Sequence, residues 1–286
     1  MLGAHSETPL RGDYSRARPD FTVDQAWQSY TDTDRAVWRR LVTRQTAMIR
    51  RYACSEFLRG VDALGASGEI PNLEQASDFI AGRTGWRLVA VPGFIPDAAF
   101  FGHLALRRFP VSVWVRRQDE MDYLVEPDLF HDFFGHVPML LDPVFAEYLA
   151  AYGAKGLDAG EGPGLTRLAR LYWYMVEFGL IDAGQGLKAY GAGMLSSRSE
   201  TVHSVASPRP HRVWFDLQRV MRTDYRIDDF QKTYFVLPDF AALFSAMDED
   251  FSALYQRLAD LPDIDPADTL PQDRVYRRAD SARASA

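Results

Sequence analysis

Two histidines lie five residues apart in the segment FHDFFGHVP, whose other residues are mostly aromatic or apolar. On an ideal α-helix this spacing turns the side chains of His131 and His136 about 140° apart, so they converge only where the helix departs from α geometry. Gly135 permits such a departure, and Pro138 prevents an ideal helix from continuing. The pair is therefore either part of a metal site or two core histidines that bond to backbone groups.

Glu177 is a third residue with the chemistry of a metal ligand. The helix predicted around it is apolar on one face, and Trp173 and Ile181 flank Glu177 on the other, so we expect this helix to be buried. A buried carboxylate is costly unless it meets a cation or a metal, and Arg170 could supply the cation. Alternatively, two imidazoles and one carboxylate form the facial triad of non-haem iron(II) oxygenases, or hold zinc for hydrolysis. Spacing alone does not separate these cases.

The elements that must position these residues are mainly helices. Capping residues and apolar residues at helical spacing predict helices, whereas runs of β-branched and aromatic residues predict strands. The predicted helices cover residues 31–52, 57–65, 72–82, 126–136, 165–184 and 239–258. The predicted strands cover residues 86–93 and 109–117, and a small ribbon joins residues 225–227 and 234–237. The pattern predicts a mainly α fold with short β-strands, of the α+β class.

Length and polarity predict the domain organisation. A chain of 286 residues with 47% apolar residues can bury a substantial core, and no long linker interrupts it. The first 20 residues and residues 275–286 are polar, small and charged, so we expect both segments to be disordered. Residues 21–274 are then one folded domain.

Charge and cysteine content exclude several classes of protein. The net charge of −7 argues against a nucleic-acid or anionic-membrane surface, and a single cysteine, Cys54, excludes an internal disulfide. The N-terminal segment lacks the apolar core of a signal peptide, and no apolar run approaches the ~18 residues of a membrane span. We expect a cytoplasmic protein. The polar tail after the last predicted helix has no heptad pattern, which favours a monomer.

Several motifs, in one order, resemble the catalytic domain of the pterin-dependent aromatic amino acid hydroxylases. They are IPNLEQASDFI, WRLVAVPGFIPDAAFFGHLALRRFPVSVWVRR, EPDLFHDFFGHVPML, YWYMVEFGL, KAYGAGMLSS and DDFQKTYFVLPDF. Together they extend over nearly all of the predicted folded domain, which is therefore expected to be the family's catalytic domain. Within the family, the chain is most similar to the bacterial phenylalanine 4-hydroxylases.

The resemblance implies iron ligands and a substrate site. His131, His136 and Glu177 match the family's iron ligands. Ser196 matches a serine that supports the first iron histidine, and such support fixes the tautomer and orientation of an imidazole. The residues that match the substrate site are Arg116, which binds the substrate carboxylate in the family, Pro127, Trp173, Gly193 and Ser196.

The resemblance also implies a pterin site and a substrate preference. The residues that match the pterin site are Phe100, which stacks on the pterin, Ile95, Asp97, Asp132 and Tyr172. Leu124 replaces a threonine of the animal members, and Asp132 replaces the commoner glutamate. Trp173 matches the tryptophan of the phenylalanine and tyrosine enzymes, and Ile227 matches a position that is apolar in phenylalanine enzymes. Both favour phenylalanine, on the expectation that Ile227 is a buried wall.

The resemblance therefore implies an iron(II)- and tetrahydropterin-dependent monooxygenase of phenylalanine catabolism, whose partners are L-phenylalanine, O2 and a reduced pterin. Two alternatives lie within the family, namely a tyrosine or a tryptophan hydroxylase. Two lie outside it: a zinc hydrolase that uses the same three ligands, and a non-catalytic binder of pterin or amino acid.

Overall fold

Helices make up most of the regular structure of this computed structural model, which describes residues 10–65, 68–122, 124, 126–160, 162–184 and 186–277. The α-helices are α1 Asp32–Tyr52, α2 Ser55–Ala63, α3 Leu73–Thr84, α4 Asp97–Ala105, α5 Pro143–Ala159, α6 Pro163–Tyr172, α7 Ala192–Leu195, α8 Arg198–Ala206, α9 Leu217–Arg222, α10 Phe240–Ser245 and α11 Phe251–Ala259. Two π-helical segments, Phe130–His136 and Trp173–Glu177, complete the helical part that positions the site. The predicted mainly α fold with short strands is confirmed.

The strands form two small sheets. They are β1 Arg87–Val91, β2 Arg108–Ser112, β3 Leu180–Ile181, β4 Lys188–Ala189, β5 His211–Trp214 and β6 Thr233–Leu237. In the first sheet β1 and β2 are parallel, as a connection through α4 allows. In the second the order is β4-β3-β6-β5, with β3 antiparallel to β4 and β6 parallel to both β3 and β5. All five residues of β6 are buried, as expected of a central strand.

Two helix starts follow the sequence signals. Thr31 and Asp34 form a capping box at the start of α1, and Asn72 accepts a hydrogen bond from the backbone of Gln75 at the start of α3. Each cap satisfies backbone N–H groups that have no partner within the helix. The helices predicted for residues 31–52 and 72–82 are confirmed to within two residues.

One predicted helix ends earlier than expected, and another is broken into two. The helix predicted for residues 165–184 ends at Glu177, because the backbone leaves helical geometry at Phe178 and the next residues pair with β6. The helix predicted for residues 239–258 is two helices, α10 and α11. Asp250 caps the start of α11 by accepting a hydrogen bond from the backbone N–H of Ala253, and this second cap marks the break.

The predicted ribbon and the predicted chain ends also need correction. Residues 225–227 form no strand, and β6 pairs with β3 and β5 instead. The boundary predicted at residue 20 is too late, because Tyr14 Oη donates to the carbonyl of Phe94 at 2.9 Å. The boundary predicted at residue 275 is too early, because the buried Tyr276 donates to Asp182 at 2.6 Å. Residues 1–9 and 278–286 lie outside the described residues, so their expected disorder stays a prediction.

No helix among the described residues is both long enough and apolar enough to cross a membrane. The free thiol of Cys54 is buried.

The contact between α4 and α5 depends on glycine. A Cβ added at Gly153 would lie 2.5 Å from the backbone nitrogen of Ala105, and one added at Gly156 would lie 1.8 Å from the ring of Phe101. The absence of side chains therefore lets α5 pack directly against α4. This packing matters to function because α4 carries Phe100, one of the predicted pterin residues.

Gly153→Ala is expected to lower the free energy of unfolding by about 1–3 kcal/mol, because the methyl group must displace backbone of α4. Gly82→Ala is the matched control, since a Cβ at Gly82, also in a helix, would meet no atom within 4 Å. Alanine has the better helix propensity, so the control should gain about 0.5–1 kcal/mol. Urea unfolding measures both variants, and equal effects would contradict the close contact.

Candidate metal centre

The first π-helical segment brings the two histidines together. Hydrogen bonds from residue i to i+5 widen the helical turn, so side chains five residues apart approach one face. The Nε2 atoms of His131 and His136 lie 3.3 Å apart. The predicted convergence is confirmed, but the role expected for Gly135 is different. A Cβ there would lie 3.0 Å from the carbonyl oxygen of Ala192, so this glycine allows α7 to approach.

The second π-helical segment ends at Glu177 and places its carboxylate against both imidazoles. Oε2 lies 3.5 Å from His131 Nε2, and Oε1 lies 3.2 Å from His136 Nε2. The alternative ion pair is not present, because Arg170 binds Asp263 through two contacts of 2.7 Å. Glu177 is thus a buried carboxylate whose close partners are histidines.

These three side chains fit a metal ion. Among the described residues they are the group of potential ligands whose donor atoms all lie within 4.8 Å of one another. Ligands roughly 2.1 Å from a metal and at right angles to each other lie about 3 Å apart, close to the observed separations. Burial alone would raise the pKa of Glu177, but the two imidazoles outweigh burial and hold that pKa well below its ordinary value. The carboxylate is therefore ionised.

Ser196 fixes the tautomer of His131. The Ser196 hydroxyl donates to the carbonyl of Ala192 at 2.8 Å, so its oxygen is free to accept from His131 Nδ1, 2.9 Å away. With the proton on Nδ1, the lone pair of Nε2 points toward the site, which is the arrangement of a metal ligand. The contact predicted for Ser196 is present.

The glycines of the segment GAG allow α7 to lie against Glu177. A Cβ at Gly191 would lie 2.4 Å from the Glu177 carbonyl oxygen, and a Cβ at Gly193 would lie 3.1 Å from its carboxylate oxygen Oε2. Gly193, predicted as a substrate residue, is therefore adjacent to the candidate metal ligands. Close packing, and not flexibility, explains these two glycines.

Arg116 is joined to the metal centre through Asp128, a residue that sequence analysis missed. Arg116 Nε and Nη2 donate to the two carboxylate oxygens of Asp128 at 3.0 and 2.7 Å. Asp128 also accepts from the backbone N–H of His131 at 3.0 Å. Burial would raise the pKa of Asp128, but the Arg116 guanidinium and the backbone N–H groups of His131 and Arg116 together hold that pKa below its ordinary value. An aspartate three residues before a histidine at a helix start is a capping pattern, and this signal could have identified it.

The predicted pterin residues lie in a chain of ring contacts that leads to the metal centre. The ring of Phe100 meets that of Tyr172 edge-on at 5.4 Å, and Tyr172 lies 6.2 Å from the imidazole of His136. Asp132 accepts from the backbone of Ser112 at 2.8 Å, which ties the first π-helical segment to β2. Asp97 is the first residue of α4 and Ile95 lies two residues before it, and both are partly buried.

Of the two predicted specificity residues, Trp173 is at the site and Ile227 is not a buried wall. Trp173 is buried four residues before Glu177, and its ring stacks on Tyr225 at 4.5 Å. Ile227 is 55% exposed, so the expectation that it lines a buried pocket is wrong. It lies in a bend with several charged neighbours, where its side chain reaches solvent. Pro127 is partly buried and adjacent to Asp128.

Comparison with known proteins identifies relatives over nearly the whole chain. Residues 23–260 match the model of the biopterin-dependent aromatic amino acid hydroxylase family. The phenylalanine-4-hydroxylase of Caulobacter vibrioides is 52% identical, over 94% of this chain and 92% of its own length. The phenylalanine-4-hydroxylase of Ralstonia nicotianae is also 52% identical, over 92% of this chain and 84% of its own length.

Solved structures show the same fold. A crystal structure of Chromobacterium violaceum phenylalanine hydroxylase with bound oxidised Fe(III) has a TM-score of 0.88 and 50% identity, over 90% of this chain and 94% of that one. A second structure of that enzyme, with iron(III) and the oxidised cofactor 7,8-dihydrobiopterin, has a TM-score of 0.87 at 50% identity, over 90% of this chain and 93% of that one.

Ser196→Ala is expected to weaken metal binding by about ten- to a hundredfold, because the His131 tautomer loses its support. Ser204→Ala is the matched control, since the buried Ser204 also donates to a backbone carbonyl, that of Thr201 at 3.0 Å. Competition for Co(II) with a chromophoric chelator measures the affinity of both variants. Equal affinities for the two variants would contradict the role of Ser196.

Proposed function

This chain belongs to the family of biopterin-dependent aromatic amino acid hydroxylases, and we propose that it is an iron- and tetrahydropterin-dependent monooxygenase that converts L-phenylalanine to L-tyrosine with O2. The observation that carries the proposal is the cluster of the partly buried His131 with the buried His136 and Glu177, in which Ser196 leaves the His131 Nε2 lone pair directed at the carboxylate. Without a cation between them, these acceptor atoms would repel each other.

The three side chains of the cluster would bind one face of the iron, which would leave up to three coordination positions for other ligands. When bound, iron(II) would activate O2 and the reduced pterin would supply two electrons, so that one oxygen atom goes to the substrate ring and the other to the pterin. Phe100 offers an aromatic ring for the pterin, and Tyr172 lies between that ring and His136. The deep burial of Tyr172 and Glu177 keeps bulk water away from this region.

Arg116 would bind the carboxylate of the amino acid substrate. Its Nε and one N–H of Nη2 are engaged by Asp128, which leaves the edge formed by Nη1 and the second N–H of Nη2 as the edge that can take another carboxylate. Asp128 holds the plane of the guanidinium, so less freedom is lost when substrate binds. The clamp expected from the sequence is therefore a preorganised one.

Trp173 would form a wall for the substrate ring, together with Pro127. A broad indole here leaves less room for a second indole, so phenylalanine is favoured over tryptophan. The exposed position of Ile227 removes the sequence argument against tyrosine, and the preference over tyrosine rests on the similarity to the bacterial phenylalanine hydroxylases.

A monomer in the cytoplasm remains the expected state. The free thiol of Cys54 fits a reducing compartment. Light scattering over a range of protein concentrations tests the monomer, and a tetramer independent of concentration would contradict it.

Turnover of the three aromatic amino acids tests the proposed function directly. With Fe(II), a tetrahydropterin and O2, phenylalanine should yield tyrosine with a specificity constant at least about tenfold above that for tyrosine or tryptophan. With zinc in place of iron, hydroxylation should be lost. Faster turnover of tyrosine or tryptophan would change the substrate assignment, whereas zinc-supported hydrolysis without hydroxylation would favour the hydrolase alternative.

Arg116→Lys is expected to raise KM for phenylalanine by about ten- to a hundredfold, because an ammonium cannot present two parallel N–H groups. Arg117→Lys is the control, since the neighbouring Arg117 is exposed and pairs with Asp119 and Glu120. Steady-state kinetics of both variants at saturating pterin and O2 provide the comparison. An unchanged KM in the Arg116 variant would reject the clamp.

A further inference from the structure

We propose that Gln231 and Glu200 are positioning residues that set the substrate preference by fixing the indole of Trp173. The proposal rests on the proposed function, because it takes Trp173 as the wall of the substrate pocket. Within the part of the chain that the structure describes, neither residue forms a hydrogen bond to His131, His136 or Glu177, so both would act through the indole. What they fix is the distance between that wall and the substrate ring.

The first contact is between the indole and the side-chain amide of Gln231. Trp173 Nε1 donates to Gln231 Oε1 at 2.9 Å, and both residues are buried. A flip of the amide would break hydrogen bonds, because its Nε2 donates to the carbonyls of Arg226 at 2.8 Å and Asp229 at 3.3 Å. The oxygen is therefore held toward the indole by the bend that contains these two carbonyls.

The second contact anchors Gln231 itself. Its backbone N–H donates to Glu200 Oε1 at 3.2 Å, and the same oxygen accepts from the hydroxyl of Tyr234 at 2.5 Å. Tyr234 is a fully buried residue of β6, and Glu200 lies on α8, four residues after Ser196. A carboxylate that is only 8% exposed thus joins the Gln231 backbone to the sheet and to the helix that follows the metal centre.

These contacts leave the indole few alternative positions. Its ring is enclosed between Tyr225, stacked at 4.5 Å, and Phe178 at 4.7 Å, and its one polar atom is bonded to Gln231. Removing the acceptor would leave a buried N–H without a partner, which proteins avoid by moving the group or admitting water. Either response changes the width of the pocket, which is the property that separates a phenyl from an indole substrate.

Gln231→Met is the principal variant, because it keeps the length of the side chain and removes the acceptor and both donors. We expect the ratio of kcat/KM for phenylalanine to that for tryptophan to fall about tenfold. Iron content should stay at the wild-type level. Calorimetry with the anaerobic iron-loaded protein should give weaker phenylalanine binding, a readout independent of turnover.

Glu200 provides the paired test of the anchor. Glu200→Gln keeps an oxygen that can accept from both Tyr234 and the Gln231 backbone, so the preference should stay within about twofold of wild type. Glu200→Leu removes the acceptor and should shift the preference in the same direction as Gln231→Met. Gln231→Met combined with Trp173→Phe completes a double-mutant cycle. In that background, which has no indole N–H, Gln231→Met should change the preference no further.

Gln25→Met is the matched control for a lost structural glutamine. Gln25 bonds the Pro71 carbonyl at 2.8 Å and the Leu73 backbone N–H at 2.9 Å, at the start of α3. The control should lose stability without a change in preference. An unchanged preference in a folded Gln231→Met protein, or an equal change in the control, would overturn the proposal.

Two further outcomes are distinguishable. If wild type turns over no aromatic amino acid, the proposed function fails, whereas turnover with an unaltered preference in the variants refutes only the positioning role. If Gln231→Met and Glu200→Leu do not fold, exchange of the Trp173 indole proton in wild type decides. We expect exchange slowed at least about a hundredfold relative to an exposed indole, and rapid exchange would refute the hydrogen bond.

Discussion

The burial of Glu177 is the constraint on which the site depends. A carboxylate that is 5% exposed is costly to fold unless positive charge compensates it, yet its close partners are two imidazoles. Because Ser196 engages the Nδ1 proton of His131, the Nε2 atom that faces the carboxylate is an acceptor unless it takes a second proton. Two acceptors face each other stably only with a cation between them, either a proton or a metal ion. The fold thus builds a position that a divalent ion fills best.

Two π-helical segments make this convergence possible. In a regular α-helix His131 and His136 would diverge, whereas the wider turn presents both to the same point. The backbone of α7 packs against both segments, near Gly135 and near Glu177. A side chain at Gly191 would collide with the Glu177 carbonyl. Ligand geometry and glycine placement are therefore two aspects of one packing arrangement.

The sequence predicted what depends on local signals and on motif order. Caps at Thr31 and Asn72 predicted the starts of α1 and α3, and the order of the motifs, through the family resemblance, predicted the metal ligands. It did not predict that the helix ends before Phe178, because the residues that follow pair with the distant β6. It placed Ile227 in a wall because an aligned position carries a residue type and no information on exposure. Gln231 had no local signal, since its partners are up to 58 residues away.

Asp128 links Arg116, the proposed substrate clamp, to His131, a candidate metal ligand. One carboxylate holds the Arg116 guanidinium through two bonds and the backbone N–H of His131 through a third. A displaced Arg116 would therefore also disturb Asp128, which caps the helix that carries His131. Because Asp128 is fully buried, neither water nor a surface residue can replace a lost bond. A substitution at Arg116 would therefore also affect the backbone of His131, and the kinetic effect of such a variant would combine the two changes.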